Sequence, residues 1–169
     1  MIKLECIDLF RKLWERGFKM LKAHVVFATI TGNNEDVADI VTEKLKKLGV
    51  YTVESDLLQT DPMEFRKSNI CVVCSYSYQN GDLHLPIEGV DFFEELKGLN
   101  LSKQIYGVAG SGDTFYKQYY NIAVDKFDHA FHDTQAKHGA ENVKINLEPN
   151  EHDTQLLNRF AEQLVSAAK

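Results

Sequence analysis

At 169 residues, of which 44% are apolar, the chain has the size and composition of one globular domain. It lacks the run of about 20 apolar residues that crosses a membrane, and it shows no signal peptide. Its odd count of three cysteines argues against a disulfide scaffold. We therefore expect a cytoplasmic protein without membrane contact. The net charge of −6 disfavours nucleic acid as a partner and suits transient docking to a basic protein.

Residues 1–20 differ in charge from the rest of the chain, because residues 1–19 carry a net +2 and the remainder carries −8. Our hypothesis is that the first 19 residues come from a mis-assigned start, since residues 15–17 can be encoded by a purine-rich run like a bacterial ribosome-binding site just before Met20. The alternative is an appended amphipathic helix. Its apolar face would consist of Leu4, Ile7, Phe10, Leu13 and Trp14. On either interpretation, residues 21–169 form the folded domain.

Apolar runs alternate with amphipathic stretches from residue 23 onward, which is the pattern of an α/β domain. In chain order we predict a strand at 23–28, a helix at 36–48, a strand at 51–55, a short helix at 61–66, a strand at 70–74, a helix at 89–97, a strand at 104–109, a long helix at 119–138, a strand at 142–147 and a helix at 153–168. Five strands joined by helices predict one parallel sheet with helices on both faces. Ligands of such folds lie beyond the carboxyl ends of the strands.

The turn after the first predicted strand can bind a phosphate group without any lysine or arginine. It consists of Thr29, Ile30, Thr31, Gly32, Asn33 and Asn34. Its short polar side chains offer donors, its glycine permits close approach, and it leads into a helix whose first amides are unpaired and whose dipole favours an anion. The alternative is an ordinary helix cap, because threonine and asparagine are favoured there in any case.

Two further turns open at the same edge of the predicted sheet, and each carries a tyrosine. The first follows the third strand and contains Ser75, Tyr76, Ser77, Tyr78, Gln79, Asn80 and Gly81. The second follows the fourth strand and contains Gly110, Ser111, Gly112, Asp113, Thr114 and Tyr116. Two aromatic side chains at one edge can stack on a flat ring. The alternative is that Tyr78 and Tyr116 only cover the edge of the sheet.

With these three motifs, in this order and at this spacing, the chain from about Lys22 onward resembles the flavodoxins. The resemblance implies an α/β three-layer sandwich with a five-stranded parallel sheet of order 2-1-3-4-5. It is closest to the short-chain branch, because no long insertion interrupts the fifth strand. It also implies non-covalently bound FMN, one-electron transfer without substrate turnover, and a monomer that docks transiently on redox partners such as a flavin reductase or another oxidoreductase.

The resemblance assigns a part of the cofactor to each turn. The residues that would bind the FMN phosphate are Thr29, Ile30, Thr31, Gly32, Asn33 and Asn34. Those that would contact the ribityl and phosphate side are Ser75, Tyr76 and Ser77. Tyr78 takes the place of the inner aromatic residue and Tyr116 that of the outer one. One edge of the flavin would contact Gln79, Asn80 and Gly81, and the other edge would contact Ser111, Gly112 and Asp113.

Two positions depart from the family pattern. Asn34 stands where the family usually has threonine or serine, although its amide can still donate. Gln79 stands where a glycine is common, at a peptide that turns over to hydrogen-bond flavin N5 on reduction. A side chain raises the cost of that movement by roughly 1 kcal/mol. Asn80 and Gly81 could provide the movement one residue later, so the sequence leaves open which peptide turns.

The acidic charge predicts a low reduction potential. One carboxylate about 10 Å from the flavin, at an effective dielectric constant of about 20, opposes reduction by about 1.7 kcal/mol, or roughly 70 mV for one electron. Asp82 and Asp113 are candidates for this effect. We therefore predict cycling between the semiquinone and hydroquinone forms.

Two other functions occur on the same fold. An FMN-dependent reductase or a ribonucleotide-reductase activating flavoprotein is the alternative that stays open, and direct oxidation of NAD(P)H would favour an enzyme. A phospho-acceptor signalling domain needs acidic residues after the first strand and at the end of the third. Thr29 and Ser75 occupy those positions, so we reject it.

Overall fold

The computed structural model describes residues 19–79 and 81–169, so most of the predicted extension at residues 1–20 lies outside the described residues. The strands are β1 (Lys22–Ala28), β2 (Tyr51–Asp56), β3 (Ile70–Ser75), β4 (Ile105–Gly112), β5 (Lys137–His138) and β6 (Val143–Asn146). The helices are α1 (Asn33–Lys47), α2 (Val90–Lys97), α3 (Ile122–Asp133) and α4 (Glu151–Ala168). Short 3-10 segments lie at Leu57–Gln59, Pro62–Lys67, Ile87–Gly89 and Thr114–Tyr119. None of the described helices is long and apolar enough to cross a bilayer.

The strands form one parallel sheet of order β2-β1-β3-β4-β5, which confirms the predicted strand order. The fifth position consists of two short strands where one was predicted. Residues 137–138 of β5 pair with the start of β4, and β6 pairs with its end, where Ile145 lies opposite Ser111. Only residues 139–142 separate them. The strand predicted at 142–147 corresponds to β6, and the two-residue β5 is the addition to the predicted five strands.

The long helix predicted at 119–138 is wrong at both ends. Residues Thr114–Tyr119 form a 3-10 turn, and Asn121, at φ +53°, separates it from α3. At the other end, Gln135 has a φ of +66°, which stops the helix and directs the chain back to the sheet. There the Lys137 N–H donates to the carbonyl of Gln104 at 3.0 Å. Strand pairing therefore outweighs the helical periodicity of this segment.

The core has two layers, one on each face of the sheet. β3 is buried along its whole length, and its side chains alternate between the layers because successive strand residues point to opposite faces. Ile70, Val72 and Cys74 pack in the layer that contains the apolar faces of α1 and α4. Cys71 and Val73 pack in the layer of α2 and α3. Helices on both faces leave the carboxyl edge of the sheet as the place where a ligand can approach.

Candidate cofactor site

Three turns meet at the carboxyl edge of the sheet because β1, β3 and β4 are neighbours in it. Ala28 at the end of β1 lies opposite Ser75 at the end of β3, and Cys74 lies opposite Ala109 in β4. The turns that begin at Thr29, Tyr76 and Asp113 are consequently side by side. The structure thus brings together the three segments that contain the predicted site residues.

The turn after β1 ends in a helix start that no described side chain caps. Gly32 has a φ of +97°, and nothing lies within 4 Å of the position that its Cβ would occupy. Its N–H donates to Thr29 Oγ1 at 3.0 Å, which holds the turn in shape. Ile30 and Thr31 are exposed, and Asn33 is half-buried. Uncapped first-turn amides beside an open glycine form a concave donor surface of the kind that binds anions.

The Asn34 side chain has a role that the sequence did not indicate. It is 3% exposed, and it bonds twice to the main chain of Ser111: Asn34 Nδ2 donates to the Ser111 carbonyl at 3.0 Å, and the Ser111 N–H donates to Asn34 Oδ1 at 2.8 Å. Because the side-chain amide is buried and bonded at both its nitrogen and its oxygen, it serves first to hold Ser111. The sequence-based expectation that this side chain also donates to an anion stays a prediction.

The strand before the second tyrosine turn is longer than predicted, because β4 continues through Gly110 and Ser111 to Gly112. Ser111 is 2% exposed, and its hydroxyl donates to the carbonyl of Leu147. The loop begins at Asp113, whose carboxylate accepts the Phe115 N–H at 2.8 Å. The Ser111 side chain is therefore used within the fold, Gly112 and Asp113 are half-buried, and the exposed part of this motif starts at Thr114.

Tyr116 is exposed, as stacking on a ligand requires, and so is its neighbour Phe115. The two rings meet edge to face, with centroids 5.6 Å apart. Phe115, at 79% exposure, is a site-edge residue that the sequence reasoning missed. The adjacent aromatic pair in the motif was the signal that could have indicated it.

The first half of the turn after β3 is tied to the rest of the fold. Ser75 is fully buried, and its hydroxyl donates to the carbonyl of Tyr76 at 3.0 Å. The Tyr76 hydroxyl donates to the Glu88 carboxylate at 2.9 Å, and burial together with this carboxylate raises the pKa of the Tyr76 phenol. Ser77 Oγ accepts the Ala123 N–H at 2.9 Å. These side chains shape the turn rather than face open space.

The second half of the same turn is open. Tyr78 and Gln79 are exposed, and Gly81 has a φ of +64°. Asn80, which the sequence also assigned to the site, lies outside the described residues. The Lys126 ammonium donates to the Asp82 carbonyl at 2.8 Å and so fixes the far end of the turn to α3. The exposed candidates for ligand contact in this segment are therefore Tyr78, Gln79 and Gly81.

Comparison with known proteins places this geometry in a family. Residues 25–159 match the family model described as Flavodoxin. The chain is 30% identical to Probable flavodoxin 1 of Bacillus subtilis (strain 168) over 146 residues, which are 84% of this chain and 89% of the relative.

Two solved structures are similar over nearly their whole length. One is a short-chain flavodoxin associated with a non-canonical PDU bacterial microcompartment, with 53% identity and a TM-score of 0.85, covering 89% of this chain and 100% of that chain. The other is the flavodoxin of Streptococcus pneumoniae TIGR4, with 45% identity and a TM-score of 0.82, covering 86% of this chain and 98% of that chain.

Proposed function

This chain belongs to the flavodoxin family, whose members bind FMN and carry electrons, and on that premise we propose that it transfers single electrons at low potential. The proposed working cycle runs between the one-electron and two-electron reduced levels of FMN. The cofactor supplies the redox chemistry when bound, whereas the residues of this chain bind it, orient it and exclude water from it. The observation that carries the proposal is the uncapped start of α1 behind Gly32, at the same sheet edge as the exposed Tyr78 and Tyr116.

The first turn fits a phosphate monoester. Its donors would be the main-chain amides that follow Gly32, at Asn33 and Asn34, together with the hydroxyls of Thr29 and Thr31. The left-handed φ of Gly32 and the open space beside it support this assignment, because a side chain there would be strained and would crowd the anion. No basic side chain is needed, since the helix dipole and the oriented amides favour the negative charge.

The two tyrosine turns fit the flavin ring. Tyr78 and Tyr116 are 42% and 55% exposed, so each can offer a ring face to a planar ligand. Gln79 and Gly81 would lie beside the ring edge that gains a proton, and Asp113 beside the opposite edge. Stacking on both faces would exclude water, which strengthens the effect of nearby charges on the ring.

Charge supports the low potential. Acidic side chains lie in or next to the three turns at Glu35, Asp36, Asp82 and Asp113, within a chain of net charge −6. Each negative charge opposes the addition of an electron to the ring, by roughly 70 mV at about 10 Å. We propose that the second electron is affected more than the first, because it leaves the ring negatively charged.

The same edge of the fold would contact redox partners. Its exposed apolar side chains include Ile30, Leu83, Phe115, Tyr116 and Leu147. Apolar contacts beside acidic residues suit a transient complex with a basic protein, because charge guides the encounter and a small apolar area allows rapid release. We propose a monomeric cytoplasmic carrier that docks in this way on oxidoreductases and has no substrate turnover of its own.

The purified full chain provides the first test. We expect a yellow protein that releases FMN on denaturation and that, during stepwise anaerobic reduction, accumulates a blue one-electron form absorbing near the red end of the spectrum. A spectrum that passes directly from the oxidised to the fully reduced form would overturn the one-electron cycle. Rapid oxidation of NAD(P)H by the protein alone would favour the FMN-dependent reductase instead.

A pair of glycine variants tests the phosphate turn. Gly32 and Gly49 both have left-handed φ values, +97° and +83°, and both have open space around the missing Cβ. Gly32→Ala and Gly49→Ala should therefore carry similar backbone strain, but only Gly32 lies at the proposed site. We expect FMN affinity to fall at least tenfold in Gly32→Ala and to stay within twofold in Gly49→Ala. Equal affinities in the two variants would reject the phosphate assignment.

A further inference from the structure

The rings of His84 and Tyr119 stack on each other, with centroids 5.0 Å apart and planes 29° from parallel. His84 follows Tyr78 in the turn after β3, and Tyr119 ends the 3-10 segment that contains Tyr116. This His84–Tyr119 stack therefore joins the two turns that carry the proposed ring contacts. The function proposed above makes no use of it.

The position of the His84 ring is set by a left-handed backbone. His84 has a φ of +52°, a conformation that only a few residue types other than glycine adopt often, histidine among them. Its neighbour Leu85 is fully buried in the layer of α2 and α3, whereas Leu83 on the other side is 42% exposed. The chain therefore turns sharply at His84, from the surface into the core. A strained conformation of this kind persists where the surrounding contacts hold it.

Tyr119 is held by a second strained segment. Lys117, with a φ of +49° and a ψ of −114°, kinks the 3-10 segment just before Tyr119, and the Tyr120 N–H donates to the Lys117 carbonyl at 3.0 Å. Directly afterwards, the buried Asn121 donates from Nδ2 to the carbonyl of Ile145 in β6 at 3.1 Å. Tyr119 itself is 40% exposed. Both rings of the stack are thus carried by segments anchored to the core, and they meet near the surface.

We propose that His84 and Tyr119 are positioning residues that hold the two tyrosine turns at the separation that a flavin ring requires. Without the stack, each turn would sample wider arrangements, and only the fraction of molecules with correctly spaced turns would bind the ring. The stack raises that fraction in the flavin-free protein, so it increases affinity by acting through Tyr78 and Tyr116. This inference rests on the proposed function, in which those two tyrosines contact the ring.

A double-mutant cycle tests the stack. His84→Asn removes one ring and keeps a residue that tolerates a left-handed backbone, and Tyr119→Leu removes the other ring. We expect each variant to raise the dissociation constants of FMN and riboflavin by about threefold to tenfold, the range that one aromatic pair supports. The double variant should lose no more than about twofold beyond either single variant, because both substitutions remove the same contact. Quenching of flavin fluorescence by the flavin-free full chain measures these affinities.

Three further variants serve as controls. Tyr119→Phe keeps the ring and should bind FMN within about twofold of the wild type. His132→Asn, near the end of α3, and Tyr51→Leu, at the start of β2, repeat the two changes at exposed positions away from the carboxyl edge and should also have little effect. Losses in the double variant that equal the product of the two single losses would show that the residues act separately, and would overturn the inference. Wild-type affinity in both single variants would overturn it as well.

The stack can also be observed without any flavin. In the NMR spectrum of the flavin-free full chain, the ring protons of His84 should lie upfield of their positions in Tyr119→Leu, because they lie over the Tyr119 ring. Tyr119→Phe should retain that upfield shift. Its absence from the wild type, in a protein that still binds FMN, would overturn the inference and leave the proposed function standing. A chain that binds neither FMN nor riboflavin would overturn the proposed function itself.

Discussion

The Ser77 hydroxyl accepts a hydrogen bond from the Ala123 N–H at 2.9 Å, so a side chain in the turn after β3 caps the start of α3. The residue at the ordinary capping position, Asn121, makes no side-chain cap of its own and has a left-handed φ of +53°. The cap of α3 is therefore supplied by a residue 46 positions earlier in the chain. One hydroxyl thus stabilises a helix and shapes a turn of the proposed site.

Removal of this cap should weaken the fold measurably. We expect Ser77→Ala to lower the free energy of unfolding by about 1 kcal/mol, the usual effect of losing a capping hydroxyl. In a domain of this size, that corresponds to a fall in melting temperature of roughly 2–4 °C. Ser102→Ala, at an exposed serine, is the control and should melt within about 1 °C of the wild type. Equal melting temperatures for the two variants would contradict the capping role.

Close packing of β4 against β3 predicts a stronger effect at Gly110. A Cβ at this position would overlap the Ser75 carbonyl oxygen and lie 2.7 Å from Val124 Cγ2, so the backbone of β4 would have to shift. We expect Gly110→Ala to cost more than about 2 kcal/mol of stability, as overpacking of a core does. Gly98→Ala is the control, because its Cβ would meet nothing closer than 3.4 Å. Chemical denaturation of both variants measures the difference.

The fold was largely predictable because its strands are strongly apolar and its helices strongly periodic. The run at 70–74 reads as a strand buried on both faces, and β3 extends it by one residue, Ser75. The helix predicted at 119–138 was too long because the apolar residues keep helical spacing past the end of α3. A left-handed glutamine and a two-residue strand carry no sequence signal of their own, since both depend on contacts with residues distant in the chain.

The site was predictable as a set of turns but not side chain by side chain. Glycine, hydroxyl and aromatic residues after successive strands indicate where a ligand approaches. Sequence cannot tell which of these side chains face open space. Asn34 and Ser111 turn out to be bonded to each other, and Tyr76 to Glu88. The two residues of each pair are not neighbours in the sequence, so the local pattern of residues contains no information about their hydrogen bonds.

Glu54 should make the stability of the protein depend on pH. Burial raises the pKa of this carboxyl to about 7, and the neighbouring Asp39 carboxylate adds to the effect. The folded state therefore holds a proton that the unfolded state has already released above about pH 4.5. The stabilisation from this proton is complete below that pH and is lost as the pH rises through about 7.

Replacing the carboxyl by an amide should remove that dependence. We expect the free energy of unfolding of Glu54→Gln to change little between pH 5 and 8. At pH 8 it should be higher than that of the wild type by about 1–2 kcal/mol, a figure that is reduced because Glu54 is partly exposed. Urea unfolding at several pH values measures it. Glu141→Gln, at an exposed carboxylate, should leave the wild-type slope unchanged. Parallel curves for the wild type and Glu54→Gln would mean that Glu54 is ionised throughout.

The two adjacent aromatic residues of the third turn should differ in their contribution to cofactor binding. We propose Tyr116 as the outer stacking ring, whereas Phe115 is 79% exposed beside it. We expect Tyr116→Leu to raise the FMN dissociation constant about 5-fold to 30-fold, since stacking on a ring contributes about 1–2 kcal/mol. Phe115→Leu should change it less than about twofold. Isothermal titration of the flavin-free protein compares them, and similar losses in both would reject the assignment of Tyr116.

The backbone next to the inner tyrosine should influence the first reduction step. Gln79 is exposed, and it stands where a glycine would let the peptide turn over toward the flavin at about 1 kcal/mol lower cost. If the peptide after Gln79 is the one that moves, Gln79→Gly should raise the potential of the first electron by about 40 mV. The second electron should be affected less, because the turned peptide is retained. Gln79→Ala keeps a Cβ and should match the wild type in a potentiometric titration. Identical potentials for the glycine and alanine variants would indicate that the movement occurs nearer Gly81, whose φ of +64° already allows it.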